Sequence, residues 1–379
     1  MVKKLLFFIL LVSMVMSGSA QWINKSFVFD ATTREYRIYV PPAYNPAVPA
    51  SLVITLHGLG DNMMGFSTLG FNYIADTANI IIICPQAIED PLAGTAWNSG
   101  AGYAGVYYPN ASVNDVGFIN ALVDAAKADY SIDPSRVYLC GFSMGGFMTE
   151  RMALQSNQNF AAFASMSGTI GSAISVYNPG RSVPIAHFHG TSDSTVYYTG
   201  NEFGIDADSL VKFWTLNNNS TNAPDSVRLP DAAADNITID KFTYNGLNPD
   251  QEVLFYRMNG AGHDILYQPA NDMTELMEVW MFFRRHQNTT LGMQKRSIDQ
   301  NIIIYPNPAT DFIDVIIPSS VEKAKIELFT NLGELIYSAI IKDSSHYINL
   351  KNIKKCNGVY LIRVSGVSFN HTEKIIIEN

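Results

Sequence analysis

Gly141-Phe142-Ser143-Met144-Gly145 is a G-x-S-x-G pentapeptide set between an apolar run, Arg136 to Cys140, and a helical pattern carried by Met148, Met152 and Ala153. A serine so placed can act as a nucleophile, because the flanking glycines let the backbone reverse sharply between strand and helix and leave the hydroxyl standing clear. That hydroxyl is weak near neutral pH, so it needs an imidazole to take its proton and an acid to hold the imidazole in the useful tautomer. Both follow in the chain. Pro184 to His189 reads as a strand, and Gly190-Thr191-Ser192-Asp193 carries a carboxylate off its tip, whereas Glu202, Asp206 and Asp208 lie further from a strand end. After Asp193, and before the polar stretch that begins at Gln287, come His263 and His286. His263 follows the apolar run Val253 to Met258 in a glycine turn, Gly260-Ala261-Gly262-His263, while His286 ends a helical pattern, where capping accounts for it. Ser143, His263 and Asp193 are therefore the expected nucleophile, base and acid of an acyl transfer. The tetrahedral oxyanion of such a reaction needs two N–H donors. They are predicted from Met144, the residue after the nucleophile, and from Leu59 in His57-Gly58-Leu59-Gly60, the loop after the apolar run Ser51 to Leu56. His57 precedes the nucleophile and is expected to prop this loop by a hydrogen bond.

The elements that must position these residues are legible as alternating patterns. Apolar runs at Ser51 to Leu56, Ile80 to Cys84, Arg136 to Cys140, Phe160 to Met166 and Pro184 to His189 read as strands buried on both faces, as in a parallel sheet. Helical patterns lie between them, notably Asp115 to Ala128 and Met144 to Leu154, and a further helix holds Leu210, Val211 and Trp214. Phe27 to Phe29 and Tyr36 to Val40 precede the series as an antiparallel edge. The fold class is α/β, a doubly wound and mostly parallel sheet, in which reactive groups belong at the carboxyl ends of the strands. Residues 91 to 112, with Trp97, Tyr103, Tyr107 and Tyr108 among small residues, form an insertion expected to wall a binding cleft, with Trp97, Asn98 and Tyr103 as substrate contacts. His187 and His189 fall on one face of a strand, but with no cysteine or carboxylate pair nearby they read as core rather than as metal ligands.

The ends of the chain read differently from its middle. Lys3 and Lys4, an apolar run from Leu5 to Met16 and the small residues Gly18-Ser19-Ala20 predict a secretory signal peptide over residues 1–20, cleaved before Gln21. The apolar run falls short of the ~20 residues of a spanning helix, so no stable membrane insertion is expected. A helical pattern from Asp272 to Arg285 closes the main domain, residues 21–288, and a polar linker, 289–300, follows. Residues 301–379 hold seven short apolar runs, from Ile302 to Tyr305 through Lys374 to Ile377, which predict a small all-β sandwich without an exposed aromatic row. A composition of 47% hydrophobic and 16% charged residues predicts a globular chain, and a formal charge of −9 with no basic stripe argues against nucleic acid as a partner. Three cysteines are too few for a disulfide framework, and Cys84 and Cys140 are expected as buried free thiols.

The blocks Leu56-His57-Gly58, Trp97-Asn98, Asp115-Val116-Gly117-Phe118, Ile132 to Tyr138, Gly141 to Gly146 and His189-Gly190-Thr191-Ser192-Asp193 resemble those of the polyhydroxybutyrate-depolymerase-like esterases. That group includes the feruloyl and acetylxylan esterases of carbohydrate esterase family one. The resemblance spans nearly all of residues 35 to 285. It implies an α/β-hydrolase fold and hydrolysis of a carboxylic ester without metal or organic cofactor, the expected partner being an ester-bearing polysaccharide or oligosaccharide such as plant cell-wall xylan. Many depolymerases of the group carry a cysteine directly after the His-Gly of the oxyanion loop, where this chain has Leu59, which favours xylan esters over a polyester. A catalytically inactive surface binding protein is the reading from another class, and the complete Ser, Asp and His set argues against it. Tyr305-Pro306-Asn307-Pro308, Gly358 to Ile362 and Lys374 to Ile377 resemble the C-terminal sorting domain of the type IX secretion system. This implies that machinery as a partner and a secreted or cell-surface location in a Gram-negative bacterium.

Overall fold

The structure, a computed structural model, describes residues 21–103, 107–175, 179–220, 223–288, 302–317, 323–330, 334–341, 345–353, 357–365 and 370–378. The expected signal peptide, the linker 289–300 and Cys356 lie outside the described residues. Two compact units divide the chain, with the boundary between Leu291 and Gly292.

The strands of the first unit are β1 (Gln21–Phe29), β2 (Thr32–Val40), β3 (Ala50–Leu56), β4 (Ile80–Pro85), the short hairpin β5 (Ile88–Asp90) and β6 (Gly94–Ala96), β7 (Ile132–Phe142), β8 (Ala162–Met166), β9 (Ile185–Gly190), β10 (Asp225–Arg228), β11 (Thr238–Tyr244) and β12 (Val253–Asn259). Its helices are α1 (Met63–Phe66), α2 (Phe71–Ala78), α3 (Asp115–Asp129), α4 (Met144–Gln155), α5 (Ala207–Asn218) and α6 (Glu275–Phe283). One ten-stranded sheet runs in the order β1-β2-β4-β3-β7-β8-β9-β12-β11-β10. The six central strands pair in parallel. The outer ribbons β1-β2 and β10-β11 are antiparallel. The N-terminal edge matches the sequence expectation, and the second edge adds to it: β10 is exposed at all four residues and β11 is half-buried apart from Ile239 and Asp240, so neither shows the continuous apolar run that marks the centre.

Alternation along each central strand divides the interior into two cores. Leu52, Ile54, Leu56, Val137 and Leu139 meet α3, α4 and α5 on one face. Val53, Ile80, Ile82, Tyr138 and Cys140 meet α2 and α6 on the other. Fully burying one such side chain contributes about 1.5–3 kcal/mol, and a one-residue slip of a strand would drive each side chain into the opposite core, whose packing is built for other shapes. Cys84 and Cys140 are buried free thiols. Helix starts are set by side chains: Asn114 accepts from Gly117 N at the head of α3, and Asp206 accepts from Ser209 N at the head of α5. Among the described residues no helix is long and apolar enough to cross a membrane.

The second unit contains β13 (Ile303–Tyr305), β14 (Phe312–Ile316), β15 (Ala324–Thr330), β16 (Leu335–Ile341), β17 (Ser345–Asn349), β18 (Gly358–Ser365) and β19 (Asn370–Ile377). They form antiparallel sheets β13-β14-β17 and β16-β15-β18-β19 around Ile313, Val315, Ile326, Leu328, Ile348, Ile362 and Ile375. One expectation fails here. Tyr305 and Tyr347 are exposed and flank Asp314 in a single row across the first sheet, and Phe312 stacks on Tyr347 at 5.3 Å, so this unit does present an aromatic row. These rings alternate with the inward Ile304, Ile313 and Ile348, which a reading by apolar runs does not separate.

Helix α4 buries an acid that no cation balances among the described residues. Glu150 is fully buried, its Oε2 accepts from Trp214 Nε1 at 2.8 Å, and its Oε1 has no partner among the described residues. Burial pushes its carboxyl up to about 8 against the opposing Trp214 hydrogen bond. Below pH ~4.5 folded and unfolded chains both carry this proton, and between ~4.5 and ~8 only the folded chain keeps it, so stability falls as pH rises through that window. Glu150→Gln keeps the acceptor and cannot ionise; its gain in melting temperature over the parent is expected to be larger at pH 8 than at pH 5. Equal gains at the two pH values in a thermal melt would refute this account.

Candidate active site

The carboxyl ends of β7, β9 and β12 bring the three predicted reactive residues together. Ser143 stands at the turn from β7 into α4 with φ 55° and ψ −121°, and its hydroxyl does not cap the helix. A Cβ on Gly141 would strike the carbonyl of Gly145, and one on Gly145 would strike the carbonyl of Leu56 and come within 2.7 Å of that of His57. Both glycines are thus required by close backbone approach. His263 Nε2 lies 2.9 Å from Ser143 Oγ, and His263 Nδ1 lies 2.7 Å from Asp193 Oδ2. Asp193 is buried, and its other oxygen, Oδ1, accepts from the backbone N–H groups of Thr195 and Val196, each at 2.9 Å. The loops that carry acid and base are laced to each other: Thr191 N donates to Met258 O, Ser192 N to Ala261 O, and Gly260 N to Thr191 Oγ1. Phe142 lies against the His263 ring at 4.9 Å.

The loop after β3 faces the same point. Gly58 approaches so closely that a Cβ there would lie 3.3 Å from Ser143 Cβ. Among the described residues neither Leu59 N nor Met144 N finds an acceptor, so both N–H groups remain free at the mouth of the site. His57 is fully buried and its Nδ1–H donates to Gly58 O at 2.7 Å, while Nε2 accepts from Ala87 N at 3.1 Å. Burial pushes the pKa of His57 down, in keeping with a neutral ring that props the loop.

A cavity of about 300 Å³ opens over Ser143 and His263, walled by Leu59, Ala101, Phe142, Phe147, Val196 and Phe203, with Asp61 as its acidic member. The expected substrate contacts are elsewhere. Trp97 is fully buried, and its Nε1–H donates to the carbonyl of His57 at 2.9 Å. Asn98 donates through its side chain to the carbonyls of Ala111 and Val113, and through its backbone to Asp115 Oδ2. Asp115 is in turn paired with the buried Arg34 at 2.7 Å. Tyr103 bridges to Tyr107 through the backbone and does not line the cavity. The insertion is a brace, built on Asp90. Burial works to raise this carboxyl, but hydrogen bonds from Tyr107 Oη and the N–H groups of Asn110, Leu92 and Ala93 outweigh it and hold it at about 2. Only Ala101 of the described insertion residues reaches the cavity wall.

Sequence reasoning missed Phe147, Val196 and Phe203. Phe147 is four residues after Ser143 on α4, and helix periodicity alone would have set it under the nucleophile. Val196 follows Asp193 by three residues in the same turn. Phe203 carries no comparable signal. His286, expected as a cap, is buried against Glu252 at 3.0 Å.

Residues 44–221 match the phospholipase/carboxylesterase family, and residues 303–378 match the secretion system C-terminal sorting domain. A bifunctional acetylxylan esterase/xylanase of Neocallimastix patriciarum is 25% identical over 248 residues, 65% of this chain and 33% of that protein. Poly(3-hydroxyalkanoate) depolymerase C of Paucimonas lemoignei is 26% identical over 290 residues, 73% of this chain and 64% of that protein. Acyl-protein thioesterase 1 homolog 2 of Dictyostelium discoideum is 30% identical over 159 residues, 38% of this chain and 70% of that protein. The chain thus spans less than two thirds of the length of the first two relatives. An acetyl xylan esterase from Aspergillus awamori has the same fold, with a TM-score of 0.51 at 17% identity, covering 71% of this chain and all of that one.

Trp97 acts here through the loop it supports. Trp97→Phe removes the donor to His57 O and frees the segment bearing Leu59 N. One such hydrogen bond contributes about 0.5–1.5 kcal/mol, so kcat for 4-nitrophenyl acetate is expected to fall about two- to tenfold with KM nearly unchanged. A raised KM at unchanged kcat would instead make Trp97 a substrate contact.

Proposed function

The chain belongs to the phospholipase/carboxylesterase family of α/β-hydrolases, and on that premise we propose that it is a secreted serine carboxylesterase that cleaves feruloyl or acetyl esters of plant cell-wall xylan. The observation that carries this reading is the unbroken hydrogen-bonded chain from Ser143 Oγ through His263 to Asp193, under an apolar cavity and beside two free backbone N–H groups.

In this mechanism Ser143 Oγ attacks the ester carbonyl carbon while His263 Nε2 takes its proton. The carbonyl oxygen, now negative, is held by Leu59 N–H and Met144 N–H, each such donor contributing ~3 kcal/mol. His263 then returns the proton to the departing sugar alcohol and leaves an acyl group on Ser143. Water, deprotonated by His263, releases the acid. Asp193 holds His263 Nδ1–H throughout and balances the imidazolium formed at each step. The phenylalanine walls suit a flat aromatic acyl group, and the small Ala101 leaves it room. No residue in this scheme requires a metal or an organic cofactor.

The match over residues 303–378 supports a role for the type IX secretion machinery, with residues 1–20 as a signal peptide, 21–288 as the esterase domain, 289–300 as a linker and 301–379 as the sorting domain. A second reading, depolymerisation of a polyester, is favoured by the length of the alignment to the Paucimonas depolymerase.

Ser143→Ala is expected to abolish release of ferulate from methyl ferulate and of acetate from acetylated xylan, a loss of at least about 10⁴-fold in kcat, while far-UV circular dichroism stays unchanged. Retained turnover would sink the mechanism. In a parallel screen of the parent, clearing of a polyhydroxybutyrate suspension with no action on the two xylan-type esters would transfer the assignment to the polyester.

A further inference from the structure

We propose that His189 is a positioning residue for the triad acid, a clamp that locks the Asp193–Val196 turn to the end of β9. The inference rests on the ester-hydrolase reading and adds a residue to its machinery. His189 is fully buried, and its Nε2 lies 2.8 Å from Val196 O. A carbonyl only accepts, so Nε2 carries the hydrogen. Nδ1 is then the bare nitrogen of a neutral ring, and at 3.2 Å it accepts from His187 Nε2. Burial is the main influence that favours the neutral form of both rings. A second proton on His189 would have to sit on Nδ1, pointing at the His187 donor. The tautomers of the pair are therefore fixed in one direction, from His187 through His189 to Val196.

Val196 passes this constraint to the acid. Its carbonyl is held by His189, and its own N–H donates to Asp193 Oδ1 at 2.9 Å, while the opposite oxygen of that carboxylate meets His263 Nδ1. His189 Nε2 is also 3.6 Å from Asp193 Oδ2, too long for a hydrogen bond, so the clamp works through the peptide rather than by direct contact. Both rings are held in place: His189 meets Tyr198 in a T-shaped contact at 5.7 Å, and His187 stacks on Phe255 at 5.7 Å. The same Val196 lines the cavity, so one buried imidazole sets both the acid and part of the wall. The facing nitrogens of the two rings are spent on each other, which leaves no lone pair for a metal bound between them.

The test uses the full chain and 4-nitrophenyl acetate. Turnover by the parent and its loss in Ser143→Ala report on the ester-hydrolase reading; the His189 variants, taken as ratios to the parent, report on the clamp. His189→Met removes the donor and is expected to lower kcat about ten- to a hundredfold with KM held within about twofold, since a misplaced acid slows the chemistry without abolishing binding. His189→Gln puts an amide N–H near the position of Nε2–H and is expected to return kcat to within about threefold of the parent. Both are checked for a cooperative thermal melt. A folded Met variant that keeps kcat within about twofold of the parent overturns the proposal. If the Met variant does not fold, the Gln variant decides alone: kcat within about threefold of the parent supports the clamp, and a larger loss overturns it.

Discussion

Ser143 has φ 55° and ψ −121°, a backbone conformation that a residue with a Cβ adopts only under compulsion and that costs about 1–3 kcal/mol. The compulsion comes from packing on all sides of the turn. Ser143 N donates to Met166 O on β8, Phe147 N donates back to Ser143 O, and the glycines at 141 and 145 let β3, β7 and α4 close to backbone contact. Once the turn is held, other geometry follows from it. The first N–H of α4 is left without an acceptor among the described residues, and Gly58 can press its loop against Ser143 without a side chain between them. Relaxing the strain would require β7 and α4 to separate, and the two cores that flank the sheet oppose that.

The parallel register is what turns a strained serine into one member of a constellation. Strands β7, β8, β9 and β12 run side by side in one direction, so the loops that carry Ser143, Asp193 and His263 leave the same edge. Three hydrogen bonds between the Thr191–Ser192 and Met258–Ala261 segments then fix acid and base relative to each other independently of the nucleophile. The serine elbow and the acid–base pair are thus two rigid pieces, joined across β8, and the 2.9 Å contact between His263 and Ser143 is the joint.

What could be read from the sequence follows the same division. Continuous apolar runs flagged each of the six central strands, and chain order after G-x-S-x-G pointed to Asp193 and His263, because a strand tip and a glycine turn leave local marks. The outer strands β10 and β11 left none, since the first is exposed and the second half-buried over most of its length, and each gains its place from pairing rather than from its own pattern. Trp97 was misread for a related reason. An aromatic in a small-residue loop looks available, but its exposure depends on what closes over it, and here Asp90, Asn110 and Asp115 tie the insertion down while the indole reaches inward to His57 O.

Selectivity is the property that local sequence marks least, and the cavity explains why. Its walls come from the loop after β3, the turn into α4, the first turn of that helix, the Asp193 turn, and Ala101 and Phe203 in separate loops. Ala101, Phe147 and Val196 form a small cluster of their own, with Phe203 packed on it and apart from the two main cores. Such a cluster has few neighbours to hold its volume constant, so exchange among apolar residues there would resize the cavity while leaving the sheet undisturbed. The residues around Ser143 and Asp193 lack that freedom, because each is bound by backbone hydrogen bonds or by close contact. One fold can therefore keep the same hydrogen-bonded chain from Ser143 to Asp193 and change the cavity above it, and the change would be written in four scattered side chains rather than in any motif.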